Sequence, residues 1–231
     1  MSNNQMYLFF VNNSGSSGKV CVYQPPSNAT FQGNVEVLAW LLTGANQSTM
    51  IRFSWTTDYN FAWFDNAPPK SSQIIAASLD KANVVQFRKN QYGYYFQPPA
   101  KGAAANLAIQ SDSTIPAVNN AVAGFGMAGA GTFAAPAGPN LRYVFIPVAD
   151  ADLSYGITFG AYSFAVSDPI NVGTLNSPGT VRFPYGVDTM TATLSSANAW
   201  TITVGAPAGR AAGLDIIHYE AGKGVVVPDG S

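Results

Sequence analysis

Apolar and polar positions along this chain alternate in short runs, and the period is two. In Thr189-Met-Thr-Ala-Thr-Leu194 the residues Met190, Ala192 and Leu194 share one side and the threonines the other. Trp200, Ile202 and Val204 repeat the pattern beyond residues 195–199. A period of two belongs to a half-buried strand, and two such runs around a polar gap form a hairpin. A second hairpin is read where 83–89 returns through Asn90-Gln91 to Tyr92-Gly-Tyr-Tyr-Phe96. The same reading predicts strands at 6–12, 19–24, 35–42, 49–55, 59–64, 106–110, 122–127, 131–135, 141–146, 155–159 and 180–184, with a last pair at 214–219 and 224–227.

Helical periodicity is not sustained anywhere beyond two turns. Pro98, Pro99, Pro116, Pro136, Pro139 and Pro147 interrupt most attempts, and the Ala-rich stretch 100–107 is the one helix candidate. The run Ser54-Trp-Thr-Thr-Asp-Tyr-Asn-Phe-Ala-Trp-Phe64 gathers two Trp, a Tyr and two Phe around Asp58. It reads as two strand ends meeting at a turn, with Ile51, Phe53 and Trp55 on one face and the alternation resumed by Tyr59, Phe61 and Trp63. The expected fold is therefore all-β: a single two-sheet antiparallel sandwich of jelly-roll type over residues 1–204, then a small-residue linker at 205–213 and a C-terminal β arm at 214–231.

Composition supports a folded β domain. Of 231 residues only 10% are charged while 13% are aromatic, the reverse of a disordered chain. The 11 basic and 12 acidic residues are scattered singly, which leaves no patch for a phosphate backbone and argues against nucleic acid as a partner. The N-terminal apolar run is too short for a signal h-region or a span, so a cytoplasmic product is expected, with leaderless export as the alternative, and a membrane is not an expected partner. The sequons at Asn12, Asn28 and Asn46 are read as chance in an Asn/Ser-rich chain. The single Cys21 forbids an internal disulfide and is read as a small buried hydrophobe.

Several blocks, taken in order, resemble the RhiA-type proteins of rhizosphere bacteria. They are Asn12-Asn-Ser14, Val22-Tyr-Gln24, Leu38-Ala-Trp40, the aromatic run 53–63, Gly124-Phe-Gly-Met-Ala-Gly-Ala-Gly-Thr-Phe133, Ile157-Thr-Phe-Gly-Ala-Tyr162, Met190-Thr-Ala-Thr-Leu194 and Trp200-Thr-Ile202. The resemblance covers roughly residues 6–204 and implies abundant, density-regulated expression near plant roots. It implies no particular chemistry. From Gly205 onward the chain departs from that pattern.

Motifs that could carry chemistry lack their context. Gly124-Phe-Gly-Met-Ala-Gly129 satisfies the dinucleotide pattern, and Asp150 stands where a ribose-binding acid would. Yet Thr132-Phe-Ala-Ala-Pro136 follows in place of the helix whose N-terminus would receive a pyrophosphate. The glycines are instead read as a close approach of strands, with Phe125 and Met127 packed inward. The only histidine, His218, lies far from any nucleophile motif and is read as a half-exposed strand residue. Asp58 and Asp65 could be paired for glycoside hydrolysis, but Asp58 is better read as a turn former. Asp150 and Asp152 lack the further oxygen ligands that calcium needs. No enzyme activity, metal or cofactor is expected.

The expected function is self-association into an oligomer or filament, with Leu214, Ile216, Ile217, Tyr219, Val225, Val226 and Val227 of the arm donated to a neighbouring subunit, and docking of the arm on its own domain as the alternative. The alternative is a carbohydrate-binding module, in which Trp63, Tyr92, Tyr94 and Tyr95 stack on sugar rings beside Asp58. A membrane-perturbing protein acting through the 83–96 hairpin is a third reading.

Overall fold

The computed structural model describes residues 5–25, 29–31, 35–66, 71–102, 106–147, 153–207 and 216–226. In chain order its strands are β1 (Gln5–Asn12), β2 (Gly18–Tyr23), β3 (Ala29–Phe31), β4 (Glu36–Leu38), β5 (Leu41–Ala45), β6 (Met50–Thr56) and β7 (Tyr59–Asp65). There follow β8 (Ser71–Ala76), β9 (Val84–Asn90), β10 (Gly93–Phe96), β11 (Leu107–Ser111), β12 (Ala121–Met127), β13 (Ala130–Pro136) and β14 (Arg142–Pro147). The last are β15 (Ser154–Gly160), β16 (Pro169–Ile170), β17 (Gly179–Arg182), β18 (Thr189–Leu194), β19 (Trp200–Val204), β20 (Ile216–Glu220) and β21 (Gly224–Val226). Among the described residues there is no α-helix, and the 3-10 turn Val172–Thr174 is the one helical piece. The all-β class stands.

The expectation of one two-sheet sandwich is corrected, because the strands form four sheets in two compact units. The first unit gathers Met1–Pro25, Ala39–Thr57 and Ala149–Ser231, and the second gathers Pro26–Leu38 and Asp58–Val148. The aromatic run holds one of the four points where the chain passes from one unit to the other. β6 pairs with β1 and β20, while β7, beginning three residues after β6 ends, pairs with β12 and β8. Alternation identifies the buried face of each strand but carries no information about its partner, so two strands that look like one hairpin belong to different sheets.

In the first unit, one sheet runs β19-β18-β1-β6-β20-β21 and faces another that runs β17-β15-β2-β5. β1 is parallel to β18 and antiparallel to β6, with Phe10 opposite both Ala192 and Ile51. The inward face collects Leu8, Phe10, Ile51, Phe53 and Trp55, all essentially inaccessible. Trp55 meets Tyr155 of the facing sheet edge-on at 5.1 Å and Trp40 at 5.3 Å, and Phe10 meets Phe159 at 5.7 Å. Buried rings at these angles place the positive edge of one on the negative face of the next.

In the second unit, β10-β9-β11-β14-β3 faces β4-β13-β12-β7-β8. Phe145 of β14 stacks on Phe125 of β12 at 5.3 Å, and Trp63 of β7 packs on Phe87 of β9 at 6.2 Å. The glycine-rich motif is a hairpin: β12 and β13 pair Phe125 with Phe133, slip register at Gly126, and turn at Ala128 (φ 51°) and Gly129 (φ 76°). Two positive φ values in a tight turn match the twist of the flanking strands. Phe125 and Met127 point inward and are buried, as expected from the sequence.

Candidate functional site

The aromatic residues proposed for sugar stacking do not share one surface. Trp63, on β7, is only 4% exposed, and its indole N–H donates to the Gln73 side-chain oxygen at 3.0 Å. That same oxygen accepts the backbone N–H of Phe96 at 2.8 Å, so Gln73 of β8 joins β7 and β10. Tyr94 stacks on Phe87 at 5.7 Å, with Lys89 over its ring at 5.4 Å. Burial, and then the charge of Asp65, raise its phenol pKa. Tyr95 is half-buried on β10, paired opposite Arg88. Tyr92 sits at the β9–β10 turn, where Asn90 caps its backbone N–H, and is 88% exposed. Asp58 is exposed between β6 and β7, and its carbonyl accepts the N–H of Ala128 at 2.8 Å, which ties it to the glycine-rich turn.

Within the single chain described, the arm pairs with β6. Ile216, Ile217 and Tyr219 lie on β20, which runs parallel to β6 with Ile217 opposite Ile51 and Tyr219 opposite Phe53. Val225 and Val226 lie on β21, antiparallel to β20. Leu214 and Val227 fall outside the described residues, as do Asp150 and Asp152. Tyr219 is buried and meets Phe53 at 5.3 Å, whereas Ile216 and Val225 remain exposed. β19 and β20 are separated in the sheet by β18, β1 and β6.

On the outer face of that sheet, the parallel register sets His218 opposite Arg52. The Arg52 guanidinium lies over the Tyr7 ring at 5.6 Å. Arg52 Nε and His218 Nδ1 are both shut off from solvent and have no hydrogen-bond partner. Burial, and then the neighbouring Arg52 charge, hold the His218 pKa below its ordinary value. Sequence reasoning missed Arg52, although it is the one charged residue in Thr49-Met-Ile-Arg-Phe-Ser-Trp-Thr56. Its meeting with His218 needs the parallel register of β20, which no local pattern encodes.

Cys21 is fully buried, and desolvation pushes its thiol pKa up to about 12. A thiol so placed is inert as a nucleophile at neutral pH. Among the described residues no cluster of three or more His, Cys, Asp or Glu side chains could hold a metal ion. Nor is any helix there long and apolar enough to cross a membrane.

With this geometry in place, the comparisons with known proteins are direct. The family model described as RhiA matches residues 3–205. The chain belongs to the RhiA family. It is also 28% identical, over 206 residues, to Protein RhiA of Rhizobium leguminosarum bv. viciae, a match covering 86% of each chain. No solved structure matches it significantly. The RhiA match ends at Gly205, the residue that follows β19. Both sheets of the second unit therefore lie within the RhiA segment, and the strands β20 and β21 lie beyond it.

Proposed function

We propose that this chain is a non-enzymatic, self-associating β protein that forms an oligomer or filament through its sheet edges. The observation that carries the reading is the absence of charge on every one of those edges except β17, which carries Arg182. β5, β8, β10, β19 and β21 each end a sheet, and none contains Asp, Glu, Lys or Arg. An edge strand offers a row of backbone donors and acceptors to another chain, and proteins that stay apart usually block such rows with charges or proline. On β19, Thr201, Thr203 and Val204 are exposed; on β8, Ile74 is. The abundant, density-regulated expression implied by the resemblance to rhizosphere proteins suits a product that acts in number.

The proposal is tested by light scattering and negative-stain microscopy of the purified protein over a range of concentrations. Assemblies that grow with concentration and shrink in Thr203→Lys or Ile74→Lys are expected. A monomer at every concentration would remove the proposal.

Carbohydrate binding is the second reading, and one observation favours it: Tyr92 presents 88% of its surface at a hairpin tip. In this reading Tyr92 and Tyr95 would contact the sugar, while Trp63 and Tyr94 would hold the hairpin from below. Repeating the scattering measurement with added oligosaccharide separates the two readings, since a lectin-like protein changes its particle size or tyrosine fluorescence only with ligand.

A further inference from the structure

The outer face of the β19-β18-β1-β6-β20-β21 sheet holds one group whose bonding is incomplete. Arg52 and His218 stand directly opposite each other on β6 and β20, and each carries a solvent-shielded nitrogen without a hydrogen-bond partner. Buried polar nitrogens in folded proteins are nearly always bonded, and an exception points to a water or an ion. Arg52 takes no part in the ion pairs Arg88–Asp112 and Lys223–Glu220. Its guanidinium lies over Tyr7, an arrangement that engages the flat face of the cation and leaves the terminal N–H groups in its plane clear of the ring. Neutral side chains flank the pair: Ser54 and Thr189 stand opposite Tyr7 on either side of β1.

We propose that Arg52 and His218 together form a binding site for a small oxyanion of the carboxylate or phosphate type. A guanidinium edge presents parallel donors that match two oxygens of such an anion, and a protonated imidazole adds a third. Arg52 lies in the segment matched by the family model and His218 beyond it, so the appended arm completes the site.

The charges around His218 set the pH dependence. Arg52 faces it from β6, and its partner on β21 is the apolar Val226. Glu220, two residues along, is engaged by Lys223 at 2.7 Å, and Tyr7 lies one strand further away. Protonation of the ring beside Arg52 is opposed while the site is empty and favoured once an anion lies between them. Anion binding therefore strengthens as pH falls through the His218 titration, and by reciprocity the bound anion raises the titration midpoint.

His218 is the only histidine in the chain, so its imidazole gives a single resonance to follow by NMR. The intact protein is titrated from about pH 8 to about pH 5 at constant ionic strength set with chloride, and again with inorganic phosphate or with acetate. A saturable rise in midpoint of about half a unit is expected, equivalent to about threefold tighter binding by the protonated form. A response to acetate alone identifies a carboxylate site, a response to phosphate alone a phosphate site, and a response to both a general oxyanion site. Arg52→Gln should raise the midpoint without added anion and abolish the response, while Arg52→Lys retains part of it. An absent response, or an equal one in Arg52→Gln, overturns the proposal. Should Arg52→Gln fail to fold, the Arg52 Nε–H resonance of the parent protein decides: phosphate or acetate must move it saturably, and a resonance indifferent to both overturns the site.

Discussion

The side-chain oxygen of Gln73 accepts the indole N–H of Trp63 at 3.0 Å. One amide on an edge strand thereby satisfies the single polar atom of a buried tryptophan, and it serves the backbone of Phe96 as well. Replacing Gln73 by Ala leaves both donors unpaired. A loss of about 1–3 kcal/mol is expected in urea unfolding, with a smaller loss for Gln73→Glu, which keeps an acceptor. Equal stability of Gln73→Ala and the parent would show that water replaces the amide.

Trp55 is expected to be the most costly truncation in the first unit. It touches Trp40, Tyr155 and Phe183, and its indole N–H donates to the Tyr155 hydroxyl at 3.4 Å. Trp55→Ala should destabilise by about 3–5 kcal/mol through lost burial and the cavity left behind. Denaturant unfolding of the variant checks this.

Two glycines should behave oppositely. A Cβ on Gly126 would stand 1.8 Å from the Ala130 carbonyl oxygen at the register slip between β12 and β13, so Gly126→Ala must force the hairpin apart. A Cβ on Gly44 meets nothing within 4 Å. Gly44→Ala is expected to be neutral or to stabilise by about 0.4–1 kcal/mol, because alanine restricts the unfolded chain. Thermal melts of the two variants should therefore move apart, with Gly126→Ala well below the parent.

Cys21 reports opening of the first unit. Because burial raises its pKa to about 12, the folded chain holds the thiol proton more tightly than the unfolded chain does. The corresponding stability is complete below the ordinary thiol range and is lost as pH rises through that range toward about 12. A thiol reagent at mildly alkaline pH should label the native protein slowly and the unfolded protein at once. Prompt labelling of the native protein would contradict the burial of β2.

Much of the strand pattern was legible in the sequence because a strand buried on one face writes that face into alternate residues. Met190, Ala192 and Leu194 gave β18 in this way, and their pairing with Val204, Ile202 and Trp200 is the hairpin expected. β8 was missed because Ser71-Ser-Gln-Ile-Ile-Ala76 is an edge strand whose residues are half-buried or exposed, so no buried stripe marks it. The run 35–42 was read as one strand, but Ala39 and Trp40 interrupt it between β4 and β5. The division into two units was illegible for a different reason: β1 with β18 and β6 with β20 pair across most of the chain. The placement of Trp63 shows the matching limit for sites. An aromatic on a strand reads the same whether its ring faces a sugar or Phe87, and only the opposing sheet decides.

The parallel pairing of β1 with β18 bears on how the chain is made. Tyr7 leaves the ribosome well before Thr189, its partner in the sheet, is made. At about 5–20 residues per second the delay is on the order of 10–35 s. β6 can cover one side of β1 during that time, but the other side waits, and Gln5–Asn12 carries no charge to discourage a passing strand. Nascent chains on one messenger therefore hold the same uncharged segment close together before any of them is finished, so the proposed self-association has its earliest opportunity while synthesis is still under way.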